Sequence, residues 1–197
     1  MAANVLTDQG FELIFRSART HNGWLDKPVS DDLLHKIYDD FKWGPTSANS
    51  SPLRVVFLKT PEAKARLKPA LSVTNVDKTL SAPVTAILAH DMQFHDHLPF
   101  LFPHADAKSW FAGNDKMIAD TAFRNGSLQA AYLMIAARAH GLDCGPMSGF
   151  DAAAVDAEFF KDGCFKTNFL CNLGYGDAAK LFPRSPRFAF DDVCSIL

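Results

Sequence analysis

The sequence predicts one α+β or three-layer α/β/α domain over residues 1–197 rather than a regular doubly wound sheet. The chain has 197 residues, 48% of them hydrophobic, which suits one domain with a sizeable core. Helix and strand patterns interleave unevenly along it. No Gly-x-Gly-x-x-Gly follows a predicted strand, so a Rossmann nucleotide site is not expected. We find no repeat or linker that would divide the chain.

Helices are predicted first from apolar spacing and end signals. Apolar residues recur at helical spacing over 11–15. A second helix begins after Ser30, a typical N-cap, and ends at Gly44. Thr60 and the proline after it open a third helix. A capping role is also expected for Asp151.

Strands are predicted from short β-branched or apolar runs. LRVVFLK over 53–59 and VTAILAH over 84–90 are such runs, and FKTNFLCNLGYG over 165–176 ends in a glycine turn. We also expect RFAFDDV, residues 187–193, to be extended.

A long helix is predicted from about Thr121 to His140, with Gly141 at its C′ position. Its apolar residues lie on nearly every side, so the helix must be covered all round. Either the chain's own sheet or a partner subunit could cover it, and we favour the partner.

Composition and charge exclude several classes of protein. A net charge of -2 lacks the cationic surplus that nucleic-acid binding needs. The N-terminus does not resemble a signal peptide, and no apolar run has the length of a membrane span. We therefore expect a soluble cytoplasmic protein without nucleic-acid or membrane partners. Its cysteines are expected to be reduced, buried and inert; they are Cys144, Cys164, Cys171 and Cys194.

Four polar clusters are candidates for ligand binding. ARTHN over 18–22 and the pair Arg184 and Arg187 suit a phosphate. WGPTSANSSP over 43–52 suits a polar heterocycle, and CGPMSGFD over 144–151 is expected to form a tight turn with backbone donors. Each cluster taken alone is weak evidence, because an ordinary loop, a polar turn or a solvated tail would also explain it.

A histidine-rich stretch follows the second predicted strand, HDMQFHDHLPFLFPHADAKSW over 90–110. It offers ligands for a metal-dependent hydrolase. Its candidate ligands lack a repeated helical i, i+4 spacing, and its many aromatic residues favour an apolar flap over a pocket, so we predict no metal site. A serine hydrolase is not expected, because Gly-x-Ser-x-Gly is absent.

The clusters together resemble the nitroreductase family of FMN-dependent flavoproteins over nearly the whole chain. The resemblance is carried by ARTHNGWLDKPVSD, WGPTSANSSP, TNVDKTLSAPV, PMSGFD and RSPR. The branch that includes malonic semialdehyde reductases is the most similar, through KWGPTSANSSP, LFPHADAKSWF and TAFRNGSLQAAYL. The family resemblance implies a mixed, mostly antiparallel sheet flanked by helices in an intertwined homodimer. Two FMN sites would lie at the interface, with C-terminal segments reaching across to the partner.

The resemblance also assigns site residues. Residues for the FMN phosphate and ribityl end are Arg19, Thr20, Asn22, Arg184 and Arg187. Ser47 and Asn49 would make further flavin contacts, and Asn75 and Lys78 would reach the pyrimidine edge of the ring. The turn from Pro146 to Gly149 would lie against the ring and aim the N–H of Ser148 or Gly149 at flavin N5 and O4. The residues expected to act in catalysis are Lys78, Ser148 and Gly149.

The implied activity is hydride transfer from NADPH or NADH through flavin N5. The expected acceptor is malonic semialdehyde, which yields 3-hydroxypropionate in pyrimidine degradation; Arg124 is a candidate cation for its carboxylate. The alternative is a broad reductase of nitroaromatics, quinones or enones, with aromatic residues of 98–111 as a stacking surface. A non-catalytic flavin carrier is the alternative outside enzymes.

Overall fold

A four-stranded antiparallel sheet forms the centre of the computed structural model, which describes residues 5–197. The first four residues of the predicted domain lie outside this range. The strands are β1 (Leu53–Leu58), β2 (Val84–Asp91), β3 (Asp143–Met147) and β4 (Phe165–Gly174), in the order β1-β2-β4-β3. The mostly antiparallel α+β fold is therefore confirmed. Its parallel component is the isolated bridge between Thr20 and Cys144.

Helices pack on both faces of this sheet. The α-helices are α1 (Asp8–Phe11), α2 (Asp31–Phe41), α3 (Pro61–Leu67), α4 (Val73–Leu80), α5 (Leu98–Leu101), α6 (Asp115–Ala139), α7 (Ala152–Phe159) and α8 (Phe190–Val193). A π-helical turn, Glu12–Arg16, continues α1. The 3-10 helices are Ser47–Asn49, Lys68–Ala70, Phe94–His97, Ala107–Phe111 and Ala178–Lys180.

The core lies in two layers, one on each side of β2, whose residues are all buried. Val84, Ala86 and Leu88 face one way, into a cluster shared with α2 and α6. Ile87 and Ala89 face the other way, into a cluster shared with α3 and α7. This alternation follows from the two-residue period of a strand. It gives the predicted three-layer arrangement.

The predicted N-caps of α2, α3 and α7 and the C′ glycine of α6 are confirmed, whereas α6 begins at Asp115 rather than near Thr121. The Ser30 side chain accepts from Leu33 N at 3.2 Å. Thr60 and Asp151 cap α3 and α7 in the same way. Gly141 follows α6 with a φ of 80°, the left-handed conformation expected at C′.

Three predictions are wrong. Residues 143–147 form the edge strand β3 rather than a turn, because pairing with β4 outweighs the low strand propensity of glycine and proline. Residues 190–193 are helical rather than extended, with the Asp192 carboxylate accepting from Ala189 N. The cysteines are all free, but Cys164 is only half-buried and Cys194 is exposed.

The histidine-rich stretch folds between β2 and α6 around a small core that includes Phe94, Leu98 and Phe111. Asp96 there is paired with Lys108 at 2.8 Å. The described residues contain no group of three or more His, Cys, Asp or Glu side chains placed to hold a metal ion. No helix of residues 5–197 combines the length and apolar character needed to cross a bilayer.

Candidate functional site

The segment after the π-helical turn crosses the ends of β3 and β4. Thr20 bridges to Cys144 of β3, and His21 N donates to the Cys144 carbonyl at 3.0 Å. Trp24 bridges to Gly176, just beyond β4. This close approach depends on Gly145, where a Cβ would lie 2.5 Å from the His21 carbonyl oxygen. The predicted phosphate-binding residues are therefore held on the sheet.

Helix α4 lies between this segment and the end of β3. Lys78 Nζ, on its last turn, donates to Asn22 Oδ1 at 3.3 Å. Asn75 Nδ2, one turn earlier, donates to the Gly149 carbonyl at 2.7 Å. The backbone of Ser72, at the N-cap, also donates to the Gly149 carbonyl, at 3.1 Å. The helix thus joins two of the predicted clusters, residues 18–22 and residues 144–151. We call the combined group, which comprises Arg19, Thr20, Asn22, Asn75, Lys78 and residues 146–149, the α4 cluster.

The electrostatics of the α4 cluster are cationic. Lys78 is half-buried, and burial lowers the pKa of its ammonium group. Arg19 Nη2 donates to the Phe182 carbonyl at 2.5 Å, and Arg184 Nη2 donates to the Arg16 carbonyl at 2.7 Å and that of Ala18 at 3.1 Å. Neither arginine forms an ion pair within residues 5–197. Their charges remain available to an anion.

The end of β3 presents backbone donors to the same cluster. The N–H groups of Ser148 and Gly149 make no hydrogen bond to another described residue. Pro146 is the β-ladder partner of Cys171 and contributes no N–H. The predicted turn residues Pro146, Ser148 and Gly149 thus lie at the α4 cluster, although 146 belongs to a strand.

Two predicted site residues form a separate cluster. Ser47 N donates to the side chain of Asn125 at 2.9 Å, and Asn49 Nδ2 donates to the Leu101 carbonyl at 2.8 Å. Ala48, Asn49 and Ser51 have φ between 40° and 50°, a left-handed conformation that is unusual without glycine. We call this segment, Ser47–Ser51, the β1 cluster.

The α4 cluster and the β1 cluster lie at opposite edges of the sheet. The β1 cluster precedes edge strand β1, and the α4 cluster lies against edge strand β3. Three strand spacings of about 4.8 Å separate those edges, roughly 14 Å in all. One chain therefore does not bring all predicted site residues together.

Arg187 makes no hydrogen bond to a described residue of the α4 cluster. Its guanidinium donates to the carbonyls of Ser185 and Pro186, its own neighbours, in an exposed segment.

Buried polar residues that the sequence did not single out support both clusters. Asn172 and Trp24 bond the backbone of α4, and Asn125 bonds Ser47. Asn125 and Asn172 have no exposed surface. The available signal for Asn172 was a polar residue inside the apolar run FLCNLG.

A large groove runs along edge strand β1. Its volume is about 1340 Å³, and it is lined by apolar and cationic side chains, among them Trp43, Phe57, Phe100 and Arg54. Arg54 is paired with the buried Asp91 at 2.6 Å. The groove borders the β1 cluster through Asn49.

The fold and the α4 cluster define an α+β protein with a group of cationic side chains and free backbone donors at one sheet edge. The chain belongs to the Nitroreductase family, whose model matches residues 16–175.

Similar proteins cover nearly the whole chain. A Burkholderia lata protein with the provisional name NADH dehydrogenase/NAD(P)H nitroreductase is 66% identical over 191 residues, covering 97% of this chain and 98% of that protein. A crystal structure described as a provisional nitroreductase from Bacillus subtilis has a TM-score of 0.88 at 22% identity, covering 97% of this chain and all of that one. A provisional nitroreductase from Exiguobacterium sibiricum, crystallised with FMN, has a TM-score of 0.84 at 20% identity, covering 98% and 99%.

Proposed function

We propose that the protein is an FMN-dependent NAD(P)H oxidoreductase with its flavin site at the α4 cluster. The observation that carries the proposal is that Lys78, Asn75 and the free N–H groups of Ser148 and Gly149 lie together at one edge of the sheet. The name of the Burkholderia lata relative and the FMN in the Exiguobacterium sibiricum structure support it.

The donors of the α4 cluster fit a flavin. The ammonium of Lys78 would stabilise negative charge at the pyrimidine edge of the ring. The N–H groups of Ser148 and Gly149 would donate to acceptor atoms at flavin N5 and O4. Substrate and nicotinamide would bind in turn over the same face of the flavin. When bound, FMN supplies the hydride chemistry, taking a hydride from NADPH or NADH and passing it to the acceptor.

The anionic end of the cofactor would lie by the segment that contains Arg19. Thr20 and Asn22 offer hydrogen bonds there, and Arg19 and Arg184 offer guanidinium groups that suit a phosphate. Arg187 would join them only if the exposed segment around it moves.

We propose further that the enzyme is a homodimer in which Ser47 and Asn49 of one chain complete the site of the other. Their separation from the α4 cluster within one chain supports this. Helix α6 also leaves large apolar residues uncovered: Leu128 and Tyr132, one turn apart on the same face, are 47% and 40% exposed. An uncovered apolar helix face of this kind is typical of an interface.

The C-terminal segment supports the same arrangement. Phe182, Phe188 and Phe190 are largely exposed, and edge strand β1 has an unpaired side along its groove. A segment that reached from the partner into this groove would bury both surfaces and intertwine the chains.

For the physiological acceptor we propose malonic semialdehyde, reduced to 3-hydroxypropionate during pyrimidine degradation in the cytoplasm. The support is the sequence resemblance and the exposed cation of Arg124 on α6. The alternative is a broad nitroaromatic, quinone or enone reductase. The exposed rings of Phe100 and Trp110, beside the β1 cluster, favour that alternative as a stacking surface.

The first test is the visible spectrum of the purified protein before and after NADPH is added without oxygen. A yellow protein that bleaches supports the proposal. A protein that cannot be reconstituted with FMN refutes it, and one that binds FMN but is not bleached by NADPH or NADH is a carrier. Turnover of malonic semialdehyde against a quinone then separates the two acceptors.

A further inference from the structure

The backbone carbonyl of Lys78 is held by two buried side chains from outside its helix. The last carbonyls of a helix have no partner within the helix. In α4, the Asp77 carbonyl is satisfied by Ser81, whose N–H donates at 3.0 Å and hydroxyl at 2.8 Å. The Lys78 carbonyl instead accepts from Trp24 Nε1 at 2.9 Å and from Asn172 Nδ2 at 3.1 Å.

Both donors are fixed by other parts of the fold. Asn172 lies on β4, and the hydroxyl of its ladder partner Thr85 donates to Asn172 Oδ1 at 2.7 Å. That bond leaves the amide nitrogen pointing at the Lys78 carbonyl. The indole of Trp24 lies against Gly145 and Gly174, where a Cβ would be 3.1 Å from its ring. The sheet therefore determines where the last turn of α4 lies.

The segment that contains Trp24 also contacts the Lys78 side chain. Its Nζ is 3.3 Å from Asn22 Oδ1, two residues before Trp24. One segment thus contacts Lys78 at both ends, the carbonyl through Trp24 and the ammonium group through Asn22. A shift of either Trp24 or Asn172 would move the ammonium charge of Lys78 relative to the rest of the α4 cluster.

We propose that Trp24 and Asn172 are positioning residues that hold the Lys78 ammonium group at the flavin edge and so set the site's preference for reduced over oxidised FMN. This inference rests on the proposed function. A charge interaction at an effective dielectric constant of about 20 changes by about tenfold in equilibrium constant when a separation of about 4 Å grows to about 6 Å. The position of Lys78 is therefore as important as its presence.

The test is the two-electron reduction potential of bound FMN in Asn172→Leu and Trp24→Phe, each of which removes one donor. We expect the preference for reduced FMN to fall about tenfold in each, which lowers the potential by about 30 mV. Lys78→Met should lower it at least as far. Asn172→Leu should add nothing in the Lys78→Met background, because residues that act through one another are not additive.

Two further variants separate positioning from general loss of structure. Thr167→Val removes another buried hydrogen bond on β4, the 2.7 Å bond to Asp156, and should reduce stability without changing the potential. Thr85→Val removes only the bond that orients Asn172 and should shift the potential less, in the same direction. It tests the proposal even where Asn172→Leu does not fold.

The outcomes distinguish the two proposals. A wild-type protein that binds no FMN refutes the proposed function, and the positioning role with it. A wild-type protein that binds FMN while Asn172→Leu and Trp24→Phe keep its potential refutes the positioning role alone. Equal shifts from Asn172→Leu with and without Lys78 would also overturn it, since the effect would not pass through Lys78.

Discussion

Asn75 Nδ2 donates to the Gly149 carbonyl at 2.7 Å, and a Cβ added to Gly149 would lie at the same distance, 2.7 Å, from that nitrogen. This bond, one of two that tie α4 to the Gly149 carbonyl, therefore requires a residue without a side chain at position 149. Asn75 is buried, so its amide has no room to move away.

Gly149→Ala should therefore weaken FMN binding. The added methyl group would collide with the buried Asn75 amide, so the backbone at residue 149 must shift, and the N–H groups of Ser148 and Gly149 shift with it. A loss of one such hydrogen bond corresponds to about a tenfold rise in the FMN dissociation constant. Titration of the apoprotein with FMN measures it. Gly10→Ala, where the nearest atoms are 3.5 Å away, is the matched control, and an equal effect of both changes would contradict the prediction.

Lys78→Met should slow flavin reduction while the protein stays folded. The variant removes the one cation on α4 that faces Asn22 and leaves the backbone bonds of residue 78 in place. We expect kcat/KM for NADPH to fall on the order of a hundredfold, as when one stabilising donor is lost from an active site. Lys161→Met, at an exposed position, should keep the wild-type value. Wild-type kinetics in Lys78→Met would contradict the electrostatic role.

We expect the lowered pKa of His90 to reduce the free energy of unfolding in mild acid. It lies on β2 with 8% of its surface exposed, and burial lowers its pKa against the opposing influence of Asp156 and Asp91. The unfolded chain then binds the proton first, so stability is complete above the ordinary pKa of 6.5 and is lost as the pH falls from there through the lowered pKa.

His90→Leu should lose less stability on acidification than the wild type. Urea unfolding at pH 7.0 and 5.5 measures the difference, which we expect to be on the order of 1 kcal/mol. Comparing the two proteins at the same two pH values isolates the contribution of residue 90. The prediction would be wrong if the free energy of unfolding changed equally with pH in both proteins, since His90 would then be protonated as easily in the folded state as in the unfolded state.

Leu128→Asp should dissociate the proposed dimer. Leu128 is 47% exposed on α6, and a charge at the centre of an apolar interface costs several kcal/mol. Sedimentation at micromolar concentration should show monomers that no longer retain FMN. Leu25→Asp, at 51% exposure, provides the comparison and should remain dimeric. A dimeric Leu128→Asp protein would place the interface elsewhere.

The elements that the sequence predicts well are those with local causes. Ser30, Thr60 and Asp151 cap helices through their own side chains, and the apolar run over 84–90 needs no partner to be recognised. The strand β3 escapes prediction because glycine and proline disfavour strands locally. Gly145 is there because residue 21 passes close by, a contact that only the folded chain shows.

The candidate site is predicted only in part for the same reason. Lys78 and Asn75 were found by resemblance, since nothing local distinguishes them from solvated helix residues. Trp24 and Asn172 were missed because their partner is a backbone carbonyl, 54 and 94 residues away in sequence respectively. Because every residue has a backbone carbonyl, the sequence does not indicate which one a buried side chain will bind.

The placement of the two clusters at opposite sheet edges has a genetic consequence. In the proposed dimer, a chain with a defective α4 cluster and a chain with a defective β1 cluster are each inactive as homodimers. When the two chains mix at random, about half of the dimers are heterodimers. Each heterodimer has one intact site and one doubly defective site, so about a quarter of all sites regain function. Two loss-of-function alleles, such as Lys78→Met and a Ser47/Asn49 double substitution, would then complement one another within a single cell.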